Sequence, residues 1–271
     1  MSLKKDNFKP LDKKIMNFAI NIAENNKYFT GTNPSVGCVI VKKNKILSFA
    51  TTNYGGRPHA ENIALSKNRF NEGTKLYSTL EPCNHQGKTP PCTNAIIKNK
   101  IQKVYYSIED KDFRTFNKTK KILKSKNIKV KSGLQKNKVY NLYKEYNYIR
   151  SKKAPYIIGK IASSSNLNIL RNNSPITNEH SRKVSHLLRF QNHAILTSYK
   201  TVNTDNPKLN CRLSGLEKYS PRVIVIDKNL KIKVNSFVIK TSKKNKLIIF
   251  HSSKNISKTK LLKNKGVKLI F

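Results

Sequence analysis

His59 and Glu61 are separated by one residue, and Cys83 and Cys92 follow with eight residues between them. One imidazole nitrogen and two thiolates make a three-ligand set of the kind that holds catalytic zinc and leaves one position open. Zinc bound there would draw the pKa of its water toward neutrality and so supply a nucleophile at physiological pH. Glu61 is spaced to lean over that water without binding the metal, to take its proton and to return it to a leaving amine. Two blander readings use the same residues. The cysteines could be buried thiols with no metal, or His85, two residues past Cys83, could close a four-ligand structural site.

These side chains need a scaffold, and the apolar spacing describes one. Ile15, Phe18, Ala19, Ile22 and Ala23 recur at helical intervals, which predicts a helix over Leu11–Lys27. Strands are expected at Gly37–Val41 and Ile46–Thr51 around a Lys/Asn turn, then a helix from near His59 and a strand over Lys75–Ser78. A short helix over Pro91–Lys98 begins on proline, a residue suited to a first helical turn. Strand Lys103–Ser107, helix Phe116–Ser125, strand Ile128–Lys131 and helix Lys136–Tyr148 complete an α/β/α sandwich. The basic joint Arg150–Lys153 and Pro155 precede a second alternation. It comprises strand Tyr156–Ala162, helix Glu179–Phe190 and strands Ala194–Ser198, Val223–Asp227 and Lys246–Phe250, with Val267–Phe271 also strand-like. The fold class is therefore α/β in two domains, 1–150 and 151–271.

The 271 residues carry a formal net charge of +41. A field of that size attracts polyanions whatever the fold. Of the 55 basic residues, however, 46 are Lys, spread almost evenly, and Asn (33) and Ile (27) are inflated with them. All three share A/T-rich codons, so genome base composition explains the excess, and no specific nucleic-acid partner is expected. The longest apolar run, Val36–Val41, is far too short to span a bilayer. Asn17 and Asn21 interrupt the only stretch that could imitate a signal peptide, so a cytoplasmic location without membrane attachment is expected. Four scattered cysteines do not make a disulfide framework in a chain of this length.

A His-x-Glu and a later Pro-Cys make the signature of zinc deaminases. Thr32-Asn33-Pro34-Ser35-Val36-Gly37, Pro58-His59-Ala60-Glu61 and Leu80-Glu81-Pro82-Cys83-Asn84-His85-Gln86-Gly87-Lys88-Thr89-Pro90-Pro91-Cys92 together resemble the bifunctional riboflavin-biosynthesis deaminase/reductase family. The eight residues between the cysteines are specific to it, since most deaminases of this fold have two. The resemblance implies zinc on His59, Cys83 and Cys92, proton shuttling by Glu61, and a contact of Asn33 with the substrate base. It also implies that His85 and Lys88 face the ribose phosphate. The implied reaction is hydrolytic deamination of a diamino-ribosylaminopyrimidinone 5′-phosphate by a homo-oligomeric enzyme.

Residues 155–212 extend the resemblance into a dihydrofolate-reductase-like domain. Thr201-x3-Asp205-Asn206-Pro207-x-Leu209-x2-Arg212 is similar to the family's reductase motif. It implies NADPH contacts from Thr201 and Asp205 and substrate contacts from Leu209, Arg212 and Arg189. This chain has Ser163-Ser164-Ser165-Asn166 where the family has Ser-Leu-Asp-Gly, Pro175 where it has Trp, and Lys228 where a small hydroxyl residue is usual. The family continues past the position of Phe271 through a loop with further cofactor contacts. The resemblance thus implies a reductase-like domain incomplete at its C-terminus, with ammonia release but no NADPH oxidation. Two other function classes compete with this one. A base deaminase acting on nucleic acid shares the metal motif, but the long loop between the cysteines and the lack of an aromatic-rich basic groove oppose it. A non-catalytic, zinc-stabilised partner protein is opposed by the intact Glu61.

Overall fold

The computed structural model describes residues 8–67, 70, 72–168 and 176–271. Pro175 lies outside the described residues. The chain divides between Ile158 and Gly159 into two compact units. No helix among the described residues is long and apolar enough to cross a membrane.

The first unit opens with α1 (Pro10–Asn25), started by Pro10 and Asp12. Its buried face, Ile15, Met16, Ala19, Ile20 and Ala23, packs into the core. β1 (Gly37–Lys42) and β2 (Lys45–Thr51) form an antiparallel hairpin. Its two turn residues, Lys43 and Asn44, both have positive φ, the backbone that a two-residue hairpin turn requires. Gly37 is fixed by close approach, since a Cβ there would lie 1.9 Å from the Ala19 carbonyl oxygen of α1. Next come α2 (Ala60–Ser66), β3 (Lys75–Leu80), α3 (Cys92–Lys98), β4 (Lys103–Ile108), α4 (Thr119–Lys124) and β5 (Lys129–Ser132). The sheet order is β2-β1-β3-β4-β5, with β3, β4 and β5 parallel. β3 and β4 are buried along almost their whole length, as expected of parallel strands covered on both faces. Between them the rings of Tyr77 and Tyr105 stack at 4.7 Å, and both hydroxyls donate to the buried Asp12 carboxylate of α1.

Two predicted helices of this unit differ in the structure. The helix expected from Phe116 begins only at Thr119, because Asn117 takes a left-handed φ of +58°, and Glu81 accepts the backbone N–H groups of Asn117 and Thr119 at that start. The helix expected over Lys136–Tyr148 is two pieces, α5 (Lys136–Val139) and α6 (Lys144–Lys152). The break buries Leu142 and Tyr143, whose hydroxyl donates to the Ser35 carbonyl at 3.0 Å. The basic joint at Arg150–Lys153 falls within and at the end of α6.

The second unit contains α7 (Glu179–Gln191), β6 (Ala194–Ser198), α8 (Tyr199–Asp205), β7 (Arg222–Ile226), α9 (Phe237–Lys240), α10 (Ser242–Asn245), β8 (Ile248–Phe250), α11 (Ile256–Asn264) and β9 (Lys268–Ile270). Its four strands are parallel in the order β6-β7-β8-β9. The strand expected over Tyr156–Ala162 does not form. That segment runs unpaired among the described residues, with Ile157 81% and Ile161 77% exposed. β-propensity sufficed for the expectation, but a strand also needs a neighbour to take its backbone hydrogen bonds. α8 and α11 were not foreseen. Each is started by a polar cap: Ser198 accepts from the Thr201 N–H, and Asn255 from that of Lys258.

Candidate metal centre and active site

Three element ends meet at the site. His59 is the residue preceding α2, Cys92 is the first residue of α3, and Cys83 follows β3 by way of Glu81 and Pro82. The Thr93 N–H donates to the Cys83 carbonyl, and the Cys92 N–H points at the Cys83 sulfur at 3.4 Å, so the second cysteine is anchored to the first. His59 Nδ1 is 3.4 Å from each Sγ, and the three ligand atoms all lie within 4.8 Å of one another. A tetrahedral zinc with ordinary Zn–N and Zn–S lengths would set the N–S edge at about 3.6 Å. The donor set and its spacing therefore fit zinc.

Glu61 lies in the first turn of α2 and is 3% exposed. Ser78 of β3 donates to its Oε1 at 2.9 Å, and its Oε2 is 3.5 Å from the Cys92 sulfur. Burial raises the Glu61 pKa above the usual carboxylate range, opposed by the nearby His59 and the Ser78 hydrogen bond. The Cys83 thiol is pulled down to about 4, first by a hydrogen bond from Cys92 and then by that with His59. Cys92 is pushed up by donating that bond and by burial. A carboxyl with a raised pKa beside an ion-binding set suits a group that must both accept and return a proton.

A cavity opens above these groups, and Asn33, His85 and Arg57 also line it. The Asn33 amide donates to the Gly56 carbonyl at 3.3 Å, leaving its side-chain oxygen as an acceptor. Gly56 has φ +90°, and a Cβ there would lie 2.3 Å from Asn33 Nδ2, so the glycine is what lets Asn33 sit here. His85 pairs through Nδ1 with Thr115 Oγ1 at 3.1 Å. Lys88 is exposed and does not line the cavity.

Sequence reasoning missed several lining residues. Glu81 staples the loop after β4 by accepting from the N–H groups of Asp110, Asn117 and Thr119. That loop presents Asp112 and Arg114, and α6 adds Tyr146 and Arg150. Arg114 and Arg150 lie 2.6 and 3.7 Å from Asp112. The position of Glu81 inside the Leu-Glu-Pro-Cys run was a usable signal. Nothing local in the sequence marks Tyr146 or Arg150, which reach the cavity only through the path of α6.

In the second unit Arg189 and Arg212 are brought together and Thr201 and Asp205 form a separate group. Arg189 donates to the Asn210 carbonyl at 3.0 Å and lies 3.4 Å from His186 Nδ1, which accepts the Arg212 N–H at 3.2 Å. Burial and the charge of Arg212 lower the Arg189 pKa. Leu209 is 7% exposed and packs in the unit's core. Thr201 and Asp205 lie one turn apart on α8, both exposed.

Residues 9–108 match the cytidine and deoxycytidylate deaminase zinc-binding region, and residues 155–270 match the RibD C-terminal domain. The riboflavin biosynthesis protein RibD of Aquifex aeolicus is 34% identical, over 96% of this chain and 73% of its own length. That of Bacillus amyloliquefaciens is 34% identical, over 79% of this chain and 59% of its own. Among solved structures, RibD of Acinetobacter baumannii aligns with a TM-score of 0.86 at 28% identity, covering 96% of this chain and 73% of that one. A deaminase/reductase of Thermotoga maritima aligns with a TM-score of 0.80 at 28% identity, covering 96% and 80%. With a zinc-deaminase region in its first unit and a RibD C-terminal domain in its second, the chain belongs to the riboflavin biosynthesis RibD family.

Proposed function

We propose that the first unit catalyses hydrolytic deamination of diamino-ribosylaminopyrimidinone 5′-phosphate, with His59, Cys83 and Cys92 as zinc ligands and Glu61 as the proton shuttle. The observation that carries this reading is the position of Glu61, buried against the ligand set and held by Ser78 at the floor of a cavity that Asn33 and His85 also line. Zinc in that ligand set supplies Lewis acidity that makes a water a nucleophile at neutral pH. Asn33 accepts a hydrogen bond from an amino group of the base and sets which ring carbon faces Glu61. Glu61 removes a proton from the attacking water as the C–O bond forms, then protonates the amine so that the C–N bond breaks and ammonia leaves. His85 contacts the ribose phosphate; the same role for Lys88 requires the loop to bring it inward.

For the second unit the family match supports NADPH as cofactor, with Thr201 and Asp205 contacting it and Arg189 and Arg212 contacting the ribosyl substrate; Leu209, whose side chain packs in the core, would contact it through its backbone. Hydride transfer needs donor and acceptor held at about 3–3.5 Å. α7, which carries Arg189, has no buried residue, and we expect this chain to release ammonia without oxidising NADPH. The test supplies substrate, zinc and NADPH together and follows ammonia alongside the absorbance of the reduced nicotinamide. Absence of ammonia would overturn the deaminase reading, and stoichiometric loss of the nicotinamide absorbance would overturn the expectation for the second unit. The same reading takes the protein as homo-oligomeric, which sedimentation of the purified chain tests.

A further inference from the structure

Arg57 sits between the buried Gly56 and Pro58-His59, and it lines the same cavity as Glu61 and His85. Its Nη1 donates to Thr89 Oγ1 at 2.8 Å. A side chain on Gly87 would begin 3.5 Å from its Nη2, so the backbone of the loop after Cys83 packs against the guanidinium. One donor is thereby fixed, and Nε and Nη2 meet no protein acceptor among the described residues. No carboxylate lies within ion-pair distance of it there either. The other two arginines of the cavity differ, because Arg114 and Arg150 both face Asp112. Among the described residues, Arg57 is the cavity arginine whose charge no acid answers. A guanidinium oriented by one bond and open on its remaining donors matches a phosphate dianion, which it can meet with paired N–H groups.

We propose that Arg57 is the specificity-determining anchor of the substrate's 5′-phosphate in the deaminase cavity, selecting a nucleotide over the corresponding nucleoside. The inference rests on the deaminase reading above. Loop residues Gly87 and Thr89 position the guanidinium, and His85 lines the same cavity with Nδ1 already engaged by Thr115.

The test compares the zinc-loaded wild-type chain with Arg57→Gln and Arg57→Lys on the 5′-phosphate and on its dephosphorylated nucleoside. Arg57→Gln should raise KM for the nucleotide roughly 10- to 100-fold, the effect of losing one or two charge-assisted hydrogen bonds. Its kcat should stay within about twofold, the pattern for loss of binding that is equal in ground and transition states. KM for the nucleoside should not move, and Arg57→Lys should recover part of the loss. Inorganic phosphate titrated calorimetrically should bind the wild type and not Arg57→Gln. Equal losses on nucleotide and nucleoside, an unchanged nucleotide KM, or loss of zinc from Arg57→Gln would each overturn the proposal. If the wild type failed to deaminate, the deaminase reading would fall, while equal phosphate binding by wild type and Arg57→Gln would by itself sink the role of Arg57.

Discussion

The two sheets of this molecule are built from similar parallel strands and bury them differently. In the first unit β3 and β4 are buried from Leu76 to Leu80 and from Val104 to Ile108, including the polar Ser78, Thr79 and Ser107. In the second, β7 alternates: Val223 and Val225 join the core with Val202, Ile249 and Leu262, whereas Ile226 is 48% exposed. Leu196 and Phe250 belong to the same open face, since Leu196 registers with Ile224 and Phe250 with Ile226. Among the described residues, helices pack on the Val223 and Val225 face of the second sheet, and Leu196, Ile226 and Phe250 of the other face stay exposed. The difference matters for chemistry. A doubly covered sheet holds Ser78 rigidly enough to orient Glu61, and the elements around it bring the three candidate ligands to one point. The second unit places Arg189 and Arg212 together but fixes neither by a buried helix face.

The largest expected effect tests whether the first unit is organised for proton transfer. Glu61→Gln should lower ammonia release by roughly 10²- to 10⁴-fold, the usual contribution of a positioned acid–base group. Zinc content, measured in parallel, should be unchanged; substantial residual turnover would remove Glu61 from the mechanism. Cys83→Ser and Cys92→Ser should instead lose zinc and lower the unfolding midpoint of the first unit, because metal binding is coupled to folding. Unaltered metal occupancy would count against these ligands.

Gly56→Ala sharpens the same point without touching a candidate ligand. Its Cβ would collide with Asn33 Nδ2, and misplacing the base contact should cost roughly 10- to 100-fold in kcat/KM. Normal activity in that variant would mean that Asn33 does not set the substrate's position.

The contrast between the sheets can be broken within one strand. Val225→Ala should cost about 2–3 kcal/mol by opening a cavity. Ile226→Ala, next to it on the open face, should cost about 0.5 kcal/mol. Equal shifts in the urea midpoint would show that the second face is covered after all.

The last effect concerns acid. Hydrogen bonds from Arg114 hold Asp112 down to about 2. Its folded pKa lies below the unfolded value of about 3.9, so its stabilisation is complete above that value and is lost as the pH falls through the folded one. With Arg114 43% exposed, solvent screening limits the contribution to about 1 kcal/mol. Asp112→Asn should flatten the stability profile across this acid range, and an unchanged profile would show the pair to be energetically silent.

The sequence alone determined the elements whose pattern is local. The period of Ile15, Ala19 and Ala23 marks α1, continuous apolar runs mark β1 and β7, and the His-x-Glu and Pro-Cys spacing marks the ligand set and Glu61, because ligand chemistry admits few residue types. It also determined that the chain is α/β throughout. Tertiary structure decided the rest. Whether Tyr156–Ala162 pairs depends on a neighbouring strand, which no property of that segment encodes. The break between α5 and α6 depends on Tyr143 reaching Ser35, and the late start of α4 on the left-handed backbone of Asn117, whose N–H Glu81 accepts. The cavity wall is decided the same way. Arg57, Arg114 and Arg150 are equivalent as letters, but Asp112 neutralises two of them and leaves one open, because a charge's worth is set by what folding places within a few ångströms of it.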